Sequence, residues 1–408
     1  MVAHRCAHDA LIQKLSGQAG GQPPQSPYRH WDRSWLLIFS YGLFSSILSF
    51  VQLAFGERRR FIYFVWPGAS ERPGVGSVQE LSSTQWRISE RGMRRGQVSM
   101  AGVSRFQDWE ASRRVVTVIL HYGRIDDTME AVRSVFGSTL PSTLVVVDNA
   151  GDALALRQNL ADFREGTVEV VETPCNLGFA AGVNLGIERA CKRAADYFFL
   201  LNNDAVVEAN TLEALVQAAE THPEAGILSP VVYFMAERSR VWSAGVERRG
   251  LFGFRRNVTA LLPRVRSSDV IPVDVVAGCA MLLKRRLVES IGLFDARLFM
   301  YYEDVEYCTR AWKAGFCVLT VLDARAYHRV NAEAEDECAD LDRLYRRARG
   351  KATYYTLEYS RRGKLAALVR LAVGVLAFGG RCILARDRRI FGKYLRATID
   401  GWRDARGG

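Results

Sequence analysis

The chain has 408 residues, 49% of them hydrophobic, with a formal net charge of +11. That much apolar material excludes global disorder, and the length suits one large α/β domain with extensions rather than a small single core. Residues 360–408 carry twelve Lys or Arg against three Asp, a local net of +9. A basic tail can meet anionic lipid or phosphorylated substrates, and a solvated basic helix is the simpler alternative. Zinc-finger spacing, RNA-binding motifs and aromatic-interleaved basic strands are missing, so nucleic acid is not expected as a partner. The eight cysteines form no CxxC pair, which argues for isolated thiols rather than a zinc site or disulfide framework.

In chain order, residues 1–112 stand apart as an extension. Ser16–Pro27 is rich in Gly, Gln, Pro and Ser and reads as loose chain. Trp35–Phe55 comes next, 21 residues without a charge, which as a helix spans about 32 Å, enough for a bilayer core. Arg58, Arg59 and Arg60 come directly after it, and the positive-inside rule then places the chain beyond them in the cytoplasm. From Val115 the pattern changes. The apolar run Val115–Leu120, with its β-branched residues, and the runs Leu144–Val147, Val168–Val171 and Tyr197–Leu201 predict strands. Helical spacing at Thr128–Phe136, Ala153–Phe163 and Gly178–Ala194 predicts helices between them. The alternation implies a mostly parallel central sheet with helices on both faces, residues 113–330 forming the domain. Ile227–Phe234, Val273–Leu283 and Val318–Val321 are further expected strands, and Asp304–Gly315 is an expected helix. The region 331–408 reads as helical and basic, with Leu365–Ala385 an amphipathic helix suited to a membrane surface or to packing on the domain.

In such sheets ligands sit beyond the carboxyl ends of strands, so polar residues there are the first candidates. Asp148 closes the second strand, where it can read a ring N–H or simply form a turn. The glycines at 178, 182 and 186 open a helix; this spacing allows phosphate approach or close helix packing. Asn202-Asn203-Asp204 ends the fourth strand, and Asp204 can bind a divalent cation through oxygen. Glu303, Asp304 and Glu306 crowd one helix start. Glu306 and Arg310 lie at i and i+4 and should pair, which leaves Asp304 as the proton acceptor. His328 closes a strand, as a structural histidine or a metal ligand.

Taken together, VVTVILHYG (115–123), VVVDNAG (145–151), NLGFAAGVNLGI (176–187), FLLNNDAVV (199–207), VDVVAGCAMLLKRR (273–286), LFMYYEDVEYCTRAWKAGF (298–316) and AYH (326–328) resemble the family-2 inverting glycosyltransferases, and most of all their rhamnosyltransferase-like branch. The resemblance covers roughly 113–330. It implies the α/β GT-A fold (Rossmann-like, for nucleotide-diphospho-sugar transfer) with a helical C-terminal extension. It implies that Asp148, Asn149, Gly178, Asn184 and Asn202 serve the nucleotide, that Asp204 and His328 hold Mn²⁺ or Mg²⁺, that Gly278 and Glu303 line the sugar pocket, and that Asp304 is the catalytic base. The family often has Asp where Asn202 stands, which suggests weaker metal affinity, and Asn where Gly123 stands.

The implied reaction is a single displacement from a dTDP- or UDP-sugar, dTDP-rhamnose first, onto a glycan or lipid-linked acceptor at the inner, cytoplasmic face of the membrane. A non-catalytic scaffold of the same fold predicts that the carboxylates are lost, whereas Asp204 and Asp304 are both present. A dinucleotide oxidoreductase needs GxGxxG after the first strand, and His121-Tyr122-Gly123-Arg124 does not supply it.

Overall fold

The computed structural model describes residues 114–163, 166–249, 254–259, 270–330, 340–359, 364–384 and 388–406. The expected membrane segment 35–55 and the rest of 1–112 lie outside the described residues.

The first half alternates as expected. Strand β1 (Val115–His121) leads to α1 (Ile125–Phe136), β2 (Ser142–Asp148), α2 (Ala153–Leu160), β3 (Val168–Glu172), α3 (Gly178–Lys192) and β4 (Tyr197–Asn202). These strands pair in parallel in the order β4-β1-β2-β3. Every residue of β1 is buried, because the sheet is covered on both faces. Val116, Val118 and Leu120 pack with Val183 and Ile187 of α3 on one face; Val115 and Ile119 pack with Met129 and Val132 of α1 on the other.

The second half adds β5 (Ala205–Val207), α4 (Thr211–Thr221), β6 (Ala225–Phe234), β7 (Val241–Ser243), the hairpin β8 (Val246–Arg249) and β9 (Phe254–Asn257), then β10 (Val270–Val273) and β11 (Ala280–Lys284). After these come α5 (Arg285–Ile291), α6 (Glu303–Lys313) and β12 (Cys317–His328). The one strand expected over Val273–Leu283 is in fact two, β10 at the sheet edge and β11 in its middle, with a turn through Gly278 between them. Continuous apolar character hid that break. Strand β11 runs antiparallel to both β4 and β6 and so joins the parallel block to the β6–β12 pair. The sheet is therefore mixed.

Strand β12 is irregular between Val321 and Arg325. Besides pairing with β6, the strand serves two further partners: its first half pairs with β10, and its end pairs with β5, setting His328 opposite Ala205. The chain ends in three helices, α7 (Leu341–Tyr359), α8 (Lys364–Leu384) and α9 (Arg388–Asp404). They share a small core of Leu344, Ala348, Phe378, Ile390, Tyr394 and Ala397, while Tyr354 of α7 enters the main core. None of the described helices is long and apolar enough to cross a membrane. Among the described residues Cys191, Cys279, Cys308, Cys317 and Cys382 are free thiols.

Candidate active site

The carboxyl ends of β1, β2 and β4 lie level, with His121 opposite Asp148 and Leu120 opposite Asn202. The chain reverses its order across the sheet here, β2 going to one side of β1 and β4 to the other, which is where open α/β sheets leave a crevice.

The turn at Gly278-Cys279 ties two chemical groups together. Its Cys279 carbonyl accepts the Asn202 backbone N–H at 2.9 Å, and its Gly278 N–H donates to Asp304 Oδ2 at 3.3 Å. Asp204, two residues past Asn202, and Asp304 thus stand on either side of one short turn. The buried Cys279 thiol registers both: burial pushes its pKa up, and the charges of Asp204 and then Asp304 push it further. Asp304 is partly exposed at the start of α6, where its Oδ1 also accepts the Val305 N–H at 2.7 Å.

Asp204 Oδ1 meets His328 Nε2 at 3.1 Å. The pairing of β5 with the end of β12 makes this contact, and the Arg329 N–H bonds the Asp204 carbonyl at 2.9 Å. His328 stacks obliquely on Trp242, ring centroids 4.9 Å apart, and its buried Nδ1 has no hydrogen-bond partner among the described residues. A carboxylate and an imidazole nitrogen converging at a strand end fit a divalent cation that takes its remaining oxygens from a diphosphate and water. Among the described residues no third His, Cys, Asp or Glu joins them.

Glu303 is buried, and its Oε2 has no hydrogen-bond partner among the described residues. Desolvation, reinforced by the neighbouring charge of Asp304, raises its pKa well above the usual carboxylate range. Of the adjacent pair, Glu303 is the one whose charged form is disfavoured, by burial first and by the Asp304 charge second. Glu306 and Arg310 pair as expected, Nε to Oε1 at 2.6 Å.

Several residues implied for nucleotide or sugar contact also have structural work. Asp148 is buried, and its Oδ1 accepts the N–H groups of Ala150 and Gly151, closing a turn. Asn149 donates to Asn176 Oδ1 at 3.1 Å and accepts the Leu177 N–H at 2.8 Å, which pins the glycine-rich turn from inside. Asn184 makes two bonds to the Phe294 backbone through its amide, at 2.8 and 2.9 Å, so it staples α3 to the segment before α6. Gly178 has φ +78°, and a Cβ there would overlap the Phe299 carbonyl. A Cβ on Gly182 or Gly186 would collide with Leu120 or Val118 of β1, so that spacing is helix packing. Glu303 lies beneath the site, and Gly278 acts through its backbone. Cys279, Trp242 and the two tyrosines before Glu303 belong to the site region too, and no spacing or period marks them.

A two-faced α/β sheet whose carboxyl edge gathers two carboxylates and a histidine is the architecture of a nucleotide-sugar transferase. Comparison with known proteins agrees. Residues 116–292 match the model for glycosyl transferase family 2. Over 250 residues, 55% of this chain and 80% of the relative, the chain is 30% identical to the N-acetylglucosaminyl-diphospho-decaprenol L-rhamnosyltransferase of Mycobacterium tuberculosis (strain CDC 1551 / Oshkosh). It is 24% identical over 274 residues to the dTDP-rhamnosyl transferase RfbF of Shigella flexneri, covering 65% of this chain and 88% of that one. The mannosyltransferase PcManGT from Pyrobaculum calidifontis, solved with GDP-Man and Mn²⁺, aligns with TM-score 0.47 at 17% identity over 74% of this chain and 94% of that one. The chain belongs to glycosyl transferase family 2. It is a nucleotide-sugar-dependent glycosyltransferase built on an α/β domain with a mixed sheet.

Proposed function

We propose that this enzyme transfers a deoxyhexose, with rhamnose from dTDP-rhamnose the first candidate and UDP-sugars next, to a hydroxyl of a lipid-linked glycan. Two relatives, from Mycobacterium tuberculosis and Shigella flexneri, are rhamnosyltransferases, and the first carries a diphospho-decaprenol substrate in its name. The observation that carries the site assignment is the Gly278-Cys279 turn, which joins the Asp304 carboxylate to the strand end bearing Asp204.

Asp304 accepts the proton of the acceptor hydroxyl as that oxygen bonds to the anomeric carbon. The bond from that carbon to the nucleoside diphosphate breaks on the opposite face, and the diphosphate leaves with the electron pair. The result is inversion. General-base help of this kind is worth about 10²–10⁴ in rate. The Gly278 N–H and Val305 N–H hold the two carboxylate oxygens in place before the acceptor arrives. Asp204 and His328 would hold Mn²⁺ or Mg²⁺, which when bound neutralises charge on the departing diphosphate.

The C-terminal helices suit an anionic membrane surface at the cytoplasmic face. Val369 and Leu376 are exposed on α8, and Arg389, Arg396 and Arg403 are exposed on α9 at seven-residue steps. A helix with cationic and apolar surface can lie in the interface plane.

The test is calorimetric binding of dTDP, UDP and GDP to the full chain, with Mn²⁺ or Mg²⁺ and then with EDTA. Metal-dependent binding of dTDP, and then dTDP release from dTDP-rhamnose, is the expected outcome. A folded protein that binds none of the three nucleotides would overturn the reading.

A further inference from the structure

Tyr301 and Tyr302 both have left-handed backbone, with φ of 69° and 72°. For a non-glycine residue that conformation is strained, and two in succession must be held by their surroundings. They come immediately before Glu303 and Asp304, so their dihedral angles decide where α6 begins and where its first carboxylates point.

The segment Phe299–Tyr302 is gripped from two sides. On the nucleotide-side turn, the Phe179 N–H donates to the Phe299 carbonyl at 2.6 Å, and Gly178 leaves room for it. On the other side stands α7. A Cβ on Gly350 would overlap the Tyr301 carbonyl and come within 3.1 Å of the Met300 carbonyl, so the helix backbone itself lies on the loop. Arg347 stands over the Tyr301 ring and Arg346 over the Phe299 ring, each 5.8 Å from the centroid. The Tyr302 ring packs on Tyr354 at 5.8 Å, and the Tyr354 hydroxyl reaches Thr309 Oγ1 on α6 at 3.2 Å. Helix α9 backs α7 in turn: the Thr353 hydroxyl donates to the Gly401 carbonyl at 3.1 Å, and Arg349 pairs with Asp404 at 2.6 Å.

We propose that Gly350 is a positioning residue for Asp304: the close approach of α7 to the Met300–Tyr301 backbone holds the strained loop that aims the base. The helical extension is then part of the catalytic apparatus as well as a membrane candidate. A glycine in mid-helix weakens the helix relative to alanine; close approach to the loop is the compensating use. The inference rests on the reading of Asp304 as base.

The experiment uses the full chain and dTDP release from dTDP-rhamnose, comparing Gly350→Ala, Gly392→Ala, Asp304→Asn and wild type. Gly392, on α9, has open space where a Cβ would stand, so that variant should stay within about twofold of wild-type kcat. Gly350→Ala should lose about 10²-fold in kcat, the scale set by ångström misplacement of a catalytic group, with the dTDP Kd unchanged. A kcat within about twofold of wild type overturns the proposal. So does a parallel loss of kcat and dTDP affinity, which marks a general structural defect. Full turnover by Asp304→Asn overturns instead the reading of the base on which the proposal rests. If Gly350→Ala does not fold, Tyr301→Gly is the second variant. Glycine takes that φ without strain, so the fold is kept while the loop loses its stiffness and its contact with Arg347. A fall in kcat at unchanged dTDP affinity supports the clamp, and wild-type kcat overturns it.

Discussion

Asp204 and His328 lie 124 positions apart in the chain and 3.1 Å apart in the fold, Oδ1 to Nε2. The register of β5 with the end of β12, His328 opposite Ala205, brings the two side chains together. If it is the metal-binding pair, Asp204→Asn and His328→Ala should each weaken Mn²⁺-dependent dTDP binding by about 10–100-fold or more, since loss of even an outer-shell partner has that effect. Calorimetry with Mn²⁺ checks this. In EDTA the variants and wild type should bind dTDP alike.

Replacing the base isolates chemistry from binding. Asp304→Asn keeps an oxygen to accept the Gly278 or Val305 N–H, so the turn should persist. Turnover should fall by about 10²–10⁴ while dTDP affinity stays at the wild-type level. Steady-state rates beside calorimetry on the same preparation check this.

Glu303 makes stability depend on pH in a direction opposite to a salt-bridged carboxylate. An ordinary glutamate titrates at 4.5, and here burial and then Asp304 raise the folded value well above it. Above about pH 4.5 the unfolded chain therefore releases a proton that the folded chain still holds, and the stability contributed by Glu303 falls as pH rises. It stops falling once the folded carboxyl also ionises. Glu303→Gln should flatten that decline, a difference read from urea unfolding midpoints between about pH 5 and 8.

The glycine stripe of α3 is a packing device and should behave as one. A Cβ on Gly186 would collide with Val118 and come within 3.1 Å of Val147. Overpacking of this kind costs about 1–3 kcal/mol, more than the gain of about 1 kcal/mol from placing alanine in a helix. Gly186→Ala should thus lower the urea midpoint, and the same change at Gly392, where a Cβ meets open space, should not.

Much of the first half was legible in the sequence because its strands are buried on both faces. Continuous apolar runs ended by Asp148 or Asn202 state both the strand and its carboxyl end. The carboxylates of Asp204 and Asp304 could be picked out for the same reason: each sits at an element boundary, where solvent-side polarity interrupts an apolar run. The pairing of Glu306 with Arg310 comes from helix geometry alone.

What the tertiary structure decided are the partners. Asn149 and Asn184 look alike in sequence as candidates for a ligand, yet their amides are satisfied by Asn176 and Leu177 and by Phe294, the last 110 positions away. The break in Val273–Leu283 comes from β11 filling the gap between β4 and β6, which no local pattern encodes. The left-handed Tyr301 and Tyr302 oppose their own local preference, and Gly178 and Gly350, from distant parts of the chain, close on the segment Phe299–Tyr301 beside them. The sequence by itself determined which faces are apolar and where strands deliver polar groups, because burial is a local demand on composition. Which of those groups meet a ligand was decided by contacts between distant segments, because an amide or carboxylate bonds whatever the finished fold sets beside it.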